Sequence, residues 1–128
     1  PQKYKVGYVE ALTGAIQEQM EQWRKEVEGT AYCLLVDTQG YLAVHYKEFT
    51  NPPTGDPAVD LLKSRHMRFY ANNETEQRRA KNTEPFLLQT YLRDTGDVLM
   101  DLSMPVFVGG KHYGGLCFGM FPKVLGLK

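Results

Sequence analysis

Hydrophobic residues recur at helical spacing near the start of the chain. They fall at every third or fourth position, at Tyr8, Leu12, Ile16, Met20, Trp23 and Val27. This spacing places them along one side of a long amphipathic α-helix over residues 7–28. We expect Gly29 to end the helix, because glycine commonly follows a helix C-terminus. Residues 1–29 are therefore assigned to an N-terminal helix, which belongs to the same domain as a core over residues 30–128.

Two short apolar runs predict a hairpin after this helix. Residues 31–37 and 41–46 have the composition of strands, and the residues between them carry a turn signal that ends in glycine. A three-residue turn would place His45 opposite Cys33.

The rest of the chain predicts one more helix and three more strands. Asp56 followed by Pro57 is typical of a helix start, whereas residues 72–82 have the composition of a polar loop. The three strands are predicted at 86–93, 97–108 and 111–121. The order of elements predicts an α+β domain with a five-stranded antiparallel sheet and a helical connection between its second and third strands.

Alternation along the last three strands predicts their register and separates two faces. A three-residue turn that ends in Gly96 gives one apolar face, built from the pairs Leu92–Val98, Thr90–Met100 and Leu88–Leu102. A tight turn at Gly109 and Gly110 places His112 opposite Phe107. The other face is then polar and collects Gln89, Tyr91, Arg93, Asp101, Ser103 and His112.

Such a polar face predicts a pocket for a small polar molecule. Arg93 would pair with a carboxylate, because a guanidinium donates two charge-assisted hydrogen bonds to that group. Asp101 would accept a hydrogen bond from an ammonium or hydroxyl, and Tyr91 and Phe107 would form walls. The alternative is purely structural: an Arg93–Asp97 pair at the hairpin tip and a hydrogen bond between Asp101 and Gln89.

Composition narrows the class of protein. The chain has 128 residues, the length of one domain, and its 15 basic and 15 acidic side chains cancel. A net charge of zero argues against general attraction to nucleic acid or to anionic lipid. No apolar run has the length of a membrane span, and the start of the chain has no pattern of a signal peptide. Because the chain begins at Pro1, we expect it to be a piece of a longer protein.

The cysteines and histidines give no metal-binding or disulfide pattern. Cys33 and Cys117 lie in apolar segments, as buried reduced cysteines do. Cys33 and His45 could be drawn as a nucleophile and its base, but no third member or oxyanion signature accompanies them. We therefore expect no metal, no cofactor and no cysteine-based catalysis.

Several short motifs together resemble a sensor domain attached to many bacterial methyl-accepting chemotaxis proteins. Downstream they are PFLLQTY at 85–91, RDTG at 93–96, DLS at 101–103, Pro105 and GKHYG at 110–114. Upstream they are residues 36–41, His45, 54–56, 60–61 and 63–66. The chain departs from the family pattern at Tyr113, where tryptophan is common, at Tyr46, where asparagine is common, and over residues 71–79.

The resemblance implies a PAS/Cache-like fold with the sheet order 2-1-5-4-3 and a signalling role rather than catalysis. The candidate ligand-binding residues are then Arg93, Tyr91, Asp101, Gln89, Ser103, His112 and His45. The expected partners are a small molecule, with a carboxylate-bearing compound as one candidate, a second copy bound through the N-terminal helix, and the signalling module of the same receptor chain. We expect a cytoplasmic location, with a periplasmic one as the alternative. A ligand-free dimerisation or docking module is the alternative function.

Overall fold

The computed structural model describes residues 2–92 and 96–126. Three α-helices and six β-strands are found in these ranges. The helices are α1 (Val9–Glu26), α2 (Pro57–Lys63) and α3 (Glu74–Lys81). The strands are β1 (Thr30–Asp37), β2 (Tyr41–Leu42), β3 (Arg68–Phe69), β4 (Leu87–Leu92), β5 (Val98–Val108) and β6 (Lys111–Met120). Short 3-10 helices lie at Lys47–Phe49 and Pro122–Leu125.

The strands form two antiparallel sheets, and the predicted five-stranded sheet of order 2-1-5-4-3 is wrong. The main sheet has four strands in the order β1-β6-β5-β4, and β2 pairs with β3 in a separate two-stranded sheet. The chain leaves the strand conformation after Leu42, so His45 does not lie opposite Cys33 in a hairpin. The domain is α+β, but its second predicted strand does not join the main sheet.

A tyrosine side chain explains why strand pairing stops there. The Cys33 backbone N–H donates to the Tyr46 hydroxyl, which in turn donates to the Cys33 carbonyl at 3.1 Å. These are the groups with which a neighbouring strand would pair at this edge of β1. Because the Tyr46 hydroxyl already satisfies them, the segment alongside can turn away from the sheet.

The predicted register of the last three strands is confirmed. Leu92 pairs with Val98, Thr90 with Met100 and Leu88 with Leu102, and His112 lies opposite Phe107. The register of β5 against β6 shifts by a bulge between Val106 and Phe107. The predicted pairing of Arg93 with Asp97 falls on the part of the chain outside the described residues.

The first two helices follow their sequence signals closely. α1 begins two residues after the predicted start and ends at Glu26, so Gly29 is not its C-terminal glycine. Gly29 instead lies in the turn just before β1 with a φ of +87°, in a place where a Cβ would lie 2.5 Å from Val124 Cγ2. α2 starts as predicted, because the Asp56 side chain accepts from the Ala58 N–H and Pro57 occupies the first turn.

Helix α3 occupies the segment that was predicted to be a loop. The Asn73 side chain accepts from the Glu76 N–H at 2.8 Å, and the Glu76 carboxylate accepts from the Asn72 N–H at 2.8 Å. This is a reciprocal N-terminal cap. The helix packs against β6 at Gly115, where a Cβ would lie 2.5 Å from the Arg79 carbonyl oxygen. This close contact buries Arg79 and Ala80.

The main sheet has an inner face and an outer face. We call inner the face that carries Leu34, Leu99, Asp101 and Cys117, which α3 and residues 41–46 help to cover. The outer face carries Leu88, Leu92, Val98, Met104 and Phe118. Helix α1 reaches this outer face where Trp23 lies 6.4 Å from the Phe118 ring.

Candidate functional site

A cavity of about 220 Å³ lies between the inner face and the segments that cover it. Its walls come from β1, β4 and β5, from residues 45–49 and from residues 65–79. Aromatic rings make up much of the wall: Tyr32, Tyr46, Phe49, Tyr70 and Tyr91.

A buried ion pair stands at the inner face beside this cavity. Arg79 Nη1 lies 2.8 Å from Asp101 Oδ2, and these side chains are 7% and 0% exposed. The Tyr32 hydroxyl donates to the same carboxylate oxygen and lies 3.1 Å from both Arg79 Nη1 and the Tyr91 hydroxyl. Burial, followed by the charge of Asp101, raises the pKa of Tyr32. The phenol therefore stays protonated and can keep donating.

This network is not fully satisfied by the described residues. Arg79 Nε, Asp101 Oδ1 and Ser103 Oγ are buried and have no hydrogen-bond partner among them. A buried pair of charges repays its desolvation only when its geometry is good and its remaining polar atoms are bonded. The network therefore stabilises the folded state less than a pair of apolar side chains of similar volume, such as leucine or methionine, would.

Of the predicted site residues that the structure describes, it brings two to the cavity wall, Tyr91 and His45. Asp101 does not line the cavity but binds Arg79 and Tyr32, which do. The expected hydrogen bond between Asp101 and Gln89 is wrong. Gln89 Nε2 instead donates to the Thr75 carbonyl at 3.0 Å and so attaches the start of α3 to β4.

Two other predicted site residues, Ser103 and His112, are not brought to the cavity wall. Ser103 is buried on the inner face next to Asp101 but does not line the cavity. His112 lies elsewhere, with Nε2 at 2.9 Å from the Gly114 carbonyl and its ring 5.4 Å from Phe107. Arg93, the predicted anion anchor, lies outside the described residues.

His45 is a buried neutral side chain whose orientation is fixed. It is 5% exposed, and its Nδ1 accepts from the Tyr46 N–H at 2.8 Å. Burial, and then the charge of Arg65, lower its pKa to about 3. A neutral imidazole that accepts at Nδ1 carries its proton on Nε2. His45 can therefore donate one hydrogen bond from Nε2 but is a poor base at neutral pH.

The cysteines do not have the properties of nucleophiles. Burial raises the pKa of both Cys33 and Cys117 to about 12. A thiol with such a pKa is protonated at neutral pH, whereas the thiolate is the reactive species. The Cys33–His45 pair considered from the sequence therefore has neither the facing positions nor the ionisation that the chemistry requires.

Several lining residues were missed from the sequence. Arg65, Tyr70, Glu76 and Arg79 all line the cavity, and three of them fall between residues 70 and 79. The pattern Asn73-x-x-Glu76 is a recognised helix-start signal and could have revealed α3. The burial of Arg79 had no such local signal, because its partner Asp101 is 22 positions away.

Searches for known sites and relatives give negative results. Within residues 2–92 and 96–126 there is no cluster of three or more side chains suited to a metal ion. No helix in that part of the chain combines the length and hydrophobicity needed to cross a membrane. No protein-family model, no curated protein and no solved structure matches the chain. The cavity and its residues are therefore the basis for any functional assignment.

Proposed function

We propose that this chain is a sensory input domain of a bacterial methyl-accepting chemotaxis receptor, which binds a small polar molecule in the cavity. The observation that carries the proposal is a partly closed cavity beside a buried Arg79–Asp101 pair. Small-molecule sites are concave and mostly apolar, with a few fixed polar groups. Aromatic walls with His45, Arg65 and Arg79 have this composition. The sequence motifs that resemble the chemoreceptor family supply the signalling context.

Contacts between the cavity wall and α1 supply a route for the signal. Gln17 of α1 donates to the His45 carbonyl at 2.9 Å, and Arg24 of α1 pairs with Glu48 at 2.7 Å. The Arg24 guanidinium also lies 3.8 Å from the centre of the Tyr46 ring. A ligand that shifts residues 45–49 therefore acts directly on the N-terminal helix, provided that it binds the two positions of the segment unequally.

Thermal unfolding in the presence of amino acids, organic acids and purines tests the binding role. A ligand that binds only the folded state raises the melting temperature. Thr75→Phe puts a ring into the cavity wall and should abolish the response, while Thr83→Phe, on an exposed residue outside the wall, should keep it. A screen without any stabilising compound, or an unchanged response in Thr75→Phe, would contradict the proposal.

The single tryptophan reports on transmission, because Trp23 lies on α1. Ligand binding should change its fluorescence in the wild type. The change should shrink in the double variant Gln17→Ala/Arg24→Ala, which lacks the contacts between α1 and residues 45–48. An equal fluorescence change in both proteins would argue against this route.

A second candidate function is supported by the outer face. Leu88, Leu92, Val98 and Met104 are exposed there, and an exposed apolar patch often marks a site of protein association. A ligand-free docking module would use this surface. We propose instead that a homodimer forms through α1, because Tyr8 and Val27, which flank α1 at the two ends of its apolar stripe, remain exposed. Light scattering that shows a monomer at high micromolar concentration would contradict the dimer.

A further inference from the structure

The cavity wall contains one arginine that no carboxylate neutralises. Arg79 is paired with Asp101 and Arg24 with Glu48, but no acidic side chain of the described residues pairs with Arg65. Arg65 Nε donates to the Leu62 carbonyl at 3.0 Å, and its guanidinium carbon lies 4.4 Å from the centre of the Phe49 ring. These contacts fix the plane of the guanidinium and leave its terminal nitrogens for another acceptor.

A second hydrogen-bond donor without an acceptor lies at the same end of the cavity. The Nε2–H of His45 has no acceptor among the described residues, since only Nδ1 is engaged there, by Tyr46. The Arg65 guanidinium carbon and the His45 ring both lie against the Phe49 ring, at 4.4 Å and 5.1 Å from its centre, which places the two side chains close together. A neutral His45 next to a cationic Arg65 makes this end electropositive and rich in donors.

The acidic residue of the wall, Glu76, already has a structural role. Glu76 lines the cavity, but its Oε1 caps α3 by accepting from the Asn72 N–H. Capping by a carboxylate in the first helical turn stabilises the helix. The positive charge of Arg65 has no comparable structural partner, so it is the charge that a ligand would complement.

The hydroxyls of three tyrosines of the wall are already engaged, so their rings are what they offer to a ligand. The Tyr32 hydroxyl is bound to Asp101, the Tyr46 hydroxyl to the Cys33 backbone, and the Tyr70 hydroxyl donates to the Arg65 carbonyl at 2.9 Å. The volume of about 220 Å³ is below the ~300–1,000 Å³ of most ligand pockets. It equals the liquid volume of about seven waters. A small molecule with a flat apolar body fits these walls.

We propose that the ligand is a small aromatic monocarboxylate, whose carboxylate pairs with Arg65 and accepts a hydrogen bond from the Nε2–H of His45. The ring of the ligand lies between the aromatic side chains of the wall. This assignment rests on the proposed sensory function and names the ligand class of the same cavity. It also replaces Arg93 with Arg65 as the anion anchor.

The first test compares carboxylates with their neutral amides on the wild-type protein. Benzoate, phenylacetate and furan-2-carboxylate would each be titrated by calorimetry, with benzamide, phenylacetamide and furan-2-carboxamide as isosteric controls. We expect at least one carboxylate to bind at submillimolar to millimolar concentration and its amide to bind at least about tenfold more weakly, a difference of about 1.4 kcal/mol. Equal binding of acid and amide would overturn the assignment.

The second test compares two arginines that are close in sequence, Arg65, which lines the cavity, and Arg68, which does not. Arg65→Gln should weaken binding of the carboxylate at least about tenfold, because a neutral amide cannot replace a charge-assisted pair. Arg68→Gln is the matched control, since Arg68 lies over the Tyr70 ring at 5.1 Å but does not line the cavity. Circular dichroism and the melting temperature of each variant check that it is folded. Unchanged affinity in a folded Arg65→Gln protein would overturn the assignment.

The outcomes separate this inference from the proposed function. If only neutral or cationic compounds of the wider screen stabilise the protein, the carboxylate assignment is wrong and the sensory function stands. If no compound of either set binds, both are wrong. If a carboxylate binds equally well to the Thr75→Phe variant, it binds outside the cavity and the assignment is also overturned.

Discussion

The two faces of the main sheet differ in the polarity of their side chains. Charged groups are buried at the inner face and apolar side chains are exposed on the outer face, which is the reverse of the usual arrangement. The inner face buries an arginine, an aspartate and a serine, and leaves three of their polar atoms without partners among the described residues. The outer face leaves Leu88, Leu92, Val98 and Met104 exposed. Buried charges reduce stability relative to an apolar core. The contrast indicates that the inner face is built for specific polar contacts next to the cavity.

Removing one member of the inner-face ion pair should have the largest effect. Arg79→Met leaves the Asp101 carboxylate buried without its cation, which should lower the free energy of unfolding by about 3–5 kcal/mol. Arg78→Met is the matched control, because Arg78 is exposed and lies 4.0 Å from Glu74. It should cost less than about 1 kcal/mol. Urea unfolding measures both.

A double variant sharpens this result. Arg79→Met/Asp101→Leu removes both charges and should recover most of the lost stability, because the desolvation cost disappears with them. If the single Arg79→Met variant were as stable as the Arg78→Met control, the pair would contribute nothing to the fold and the contrast between the faces would lose its energetic basis.

Acidification should lower the free energy of unfolding of the protein through His45. Its folded-state pKa is lowered to about 3 by burial and then by Arg65, so between about pH 6.5 and pH 3 the unfolded chain binds a proton that the folded chain does not. Stability therefore falls as pH decreases. From about pH 7.5 to pH 5 the loss through His45 alone is about 2 kcal/mol. The His45→Gln variant should lack this part of the pH dependence.

Comparing the wild type with His45→Gln separates the contribution of His45 to the pH dependence of stability from that of other titrating groups. Burial, followed by the charge of Lys3, also lowers the pKa of His66, which adds a loss of the same sign to both proteins. Urea unfolding at several pH values gives the two slopes. Parallel curves for wild type and His45→Gln would show that His45 is not buried in its neutral form.

A smaller effect is expected from the Tyr32 hydroxyl. Tyr32→Phe keeps the ring that packs over Gly119 and removes the donor to Asp101. The Asp101 carboxylate keeps its ion pair with Arg79, so the free energy of unfolding should fall by about 1–2 kcal/mol. Tyr113→Phe is the control, since among the described residues its hydroxyl donates to Tyr8 alone, at 3.4 Å near the surface. Equal melting temperatures of the two variants would argue against a role for Tyr32 in the network.

The parts of this fold that could be predicted from the sequence are those set by local periodicity. Alternation along β4 and β5 and the glycine turns determine a register that the structure confirms. The prediction that the second strand joins the main sheet was wrong because the Tyr46 hydroxyl hydrogen-bonds to the backbone groups of Cys33. No alternation pattern shows this contact.

The candidate site was harder to predict because long-range contacts assemble it. α3 contains Ala80 but no larger apolar residue, so hydrophobic periodicity could not reveal it. Asp101 lies on the polar face where the register predicts it, but its partners Tyr32 and Arg79 are 69 and 22 positions away. Sequence reasoning thus found the polar face but not the side chains that complete it.

The smallest effect on stability is expected on the outer face. Leu92 is 70% exposed, and Leu92→Gln should change the free energy of unfolding by less than about 0.5 kcal/mol. Leu99→Gln, at a position of β5 that is 1% exposed, is the counterpart and should be far more damaging, because it buries an amide that has no designed hydrogen-bond partner. Urea unfolding at two protein concentrations also tests association, since the stability of a dimer depends on concentration. If the dimer forms through α1, Leu92→Gln leaves that dependence unchanged. A dependence that Leu92→Gln abolishes would place the interface on the outer face and favour the docking function.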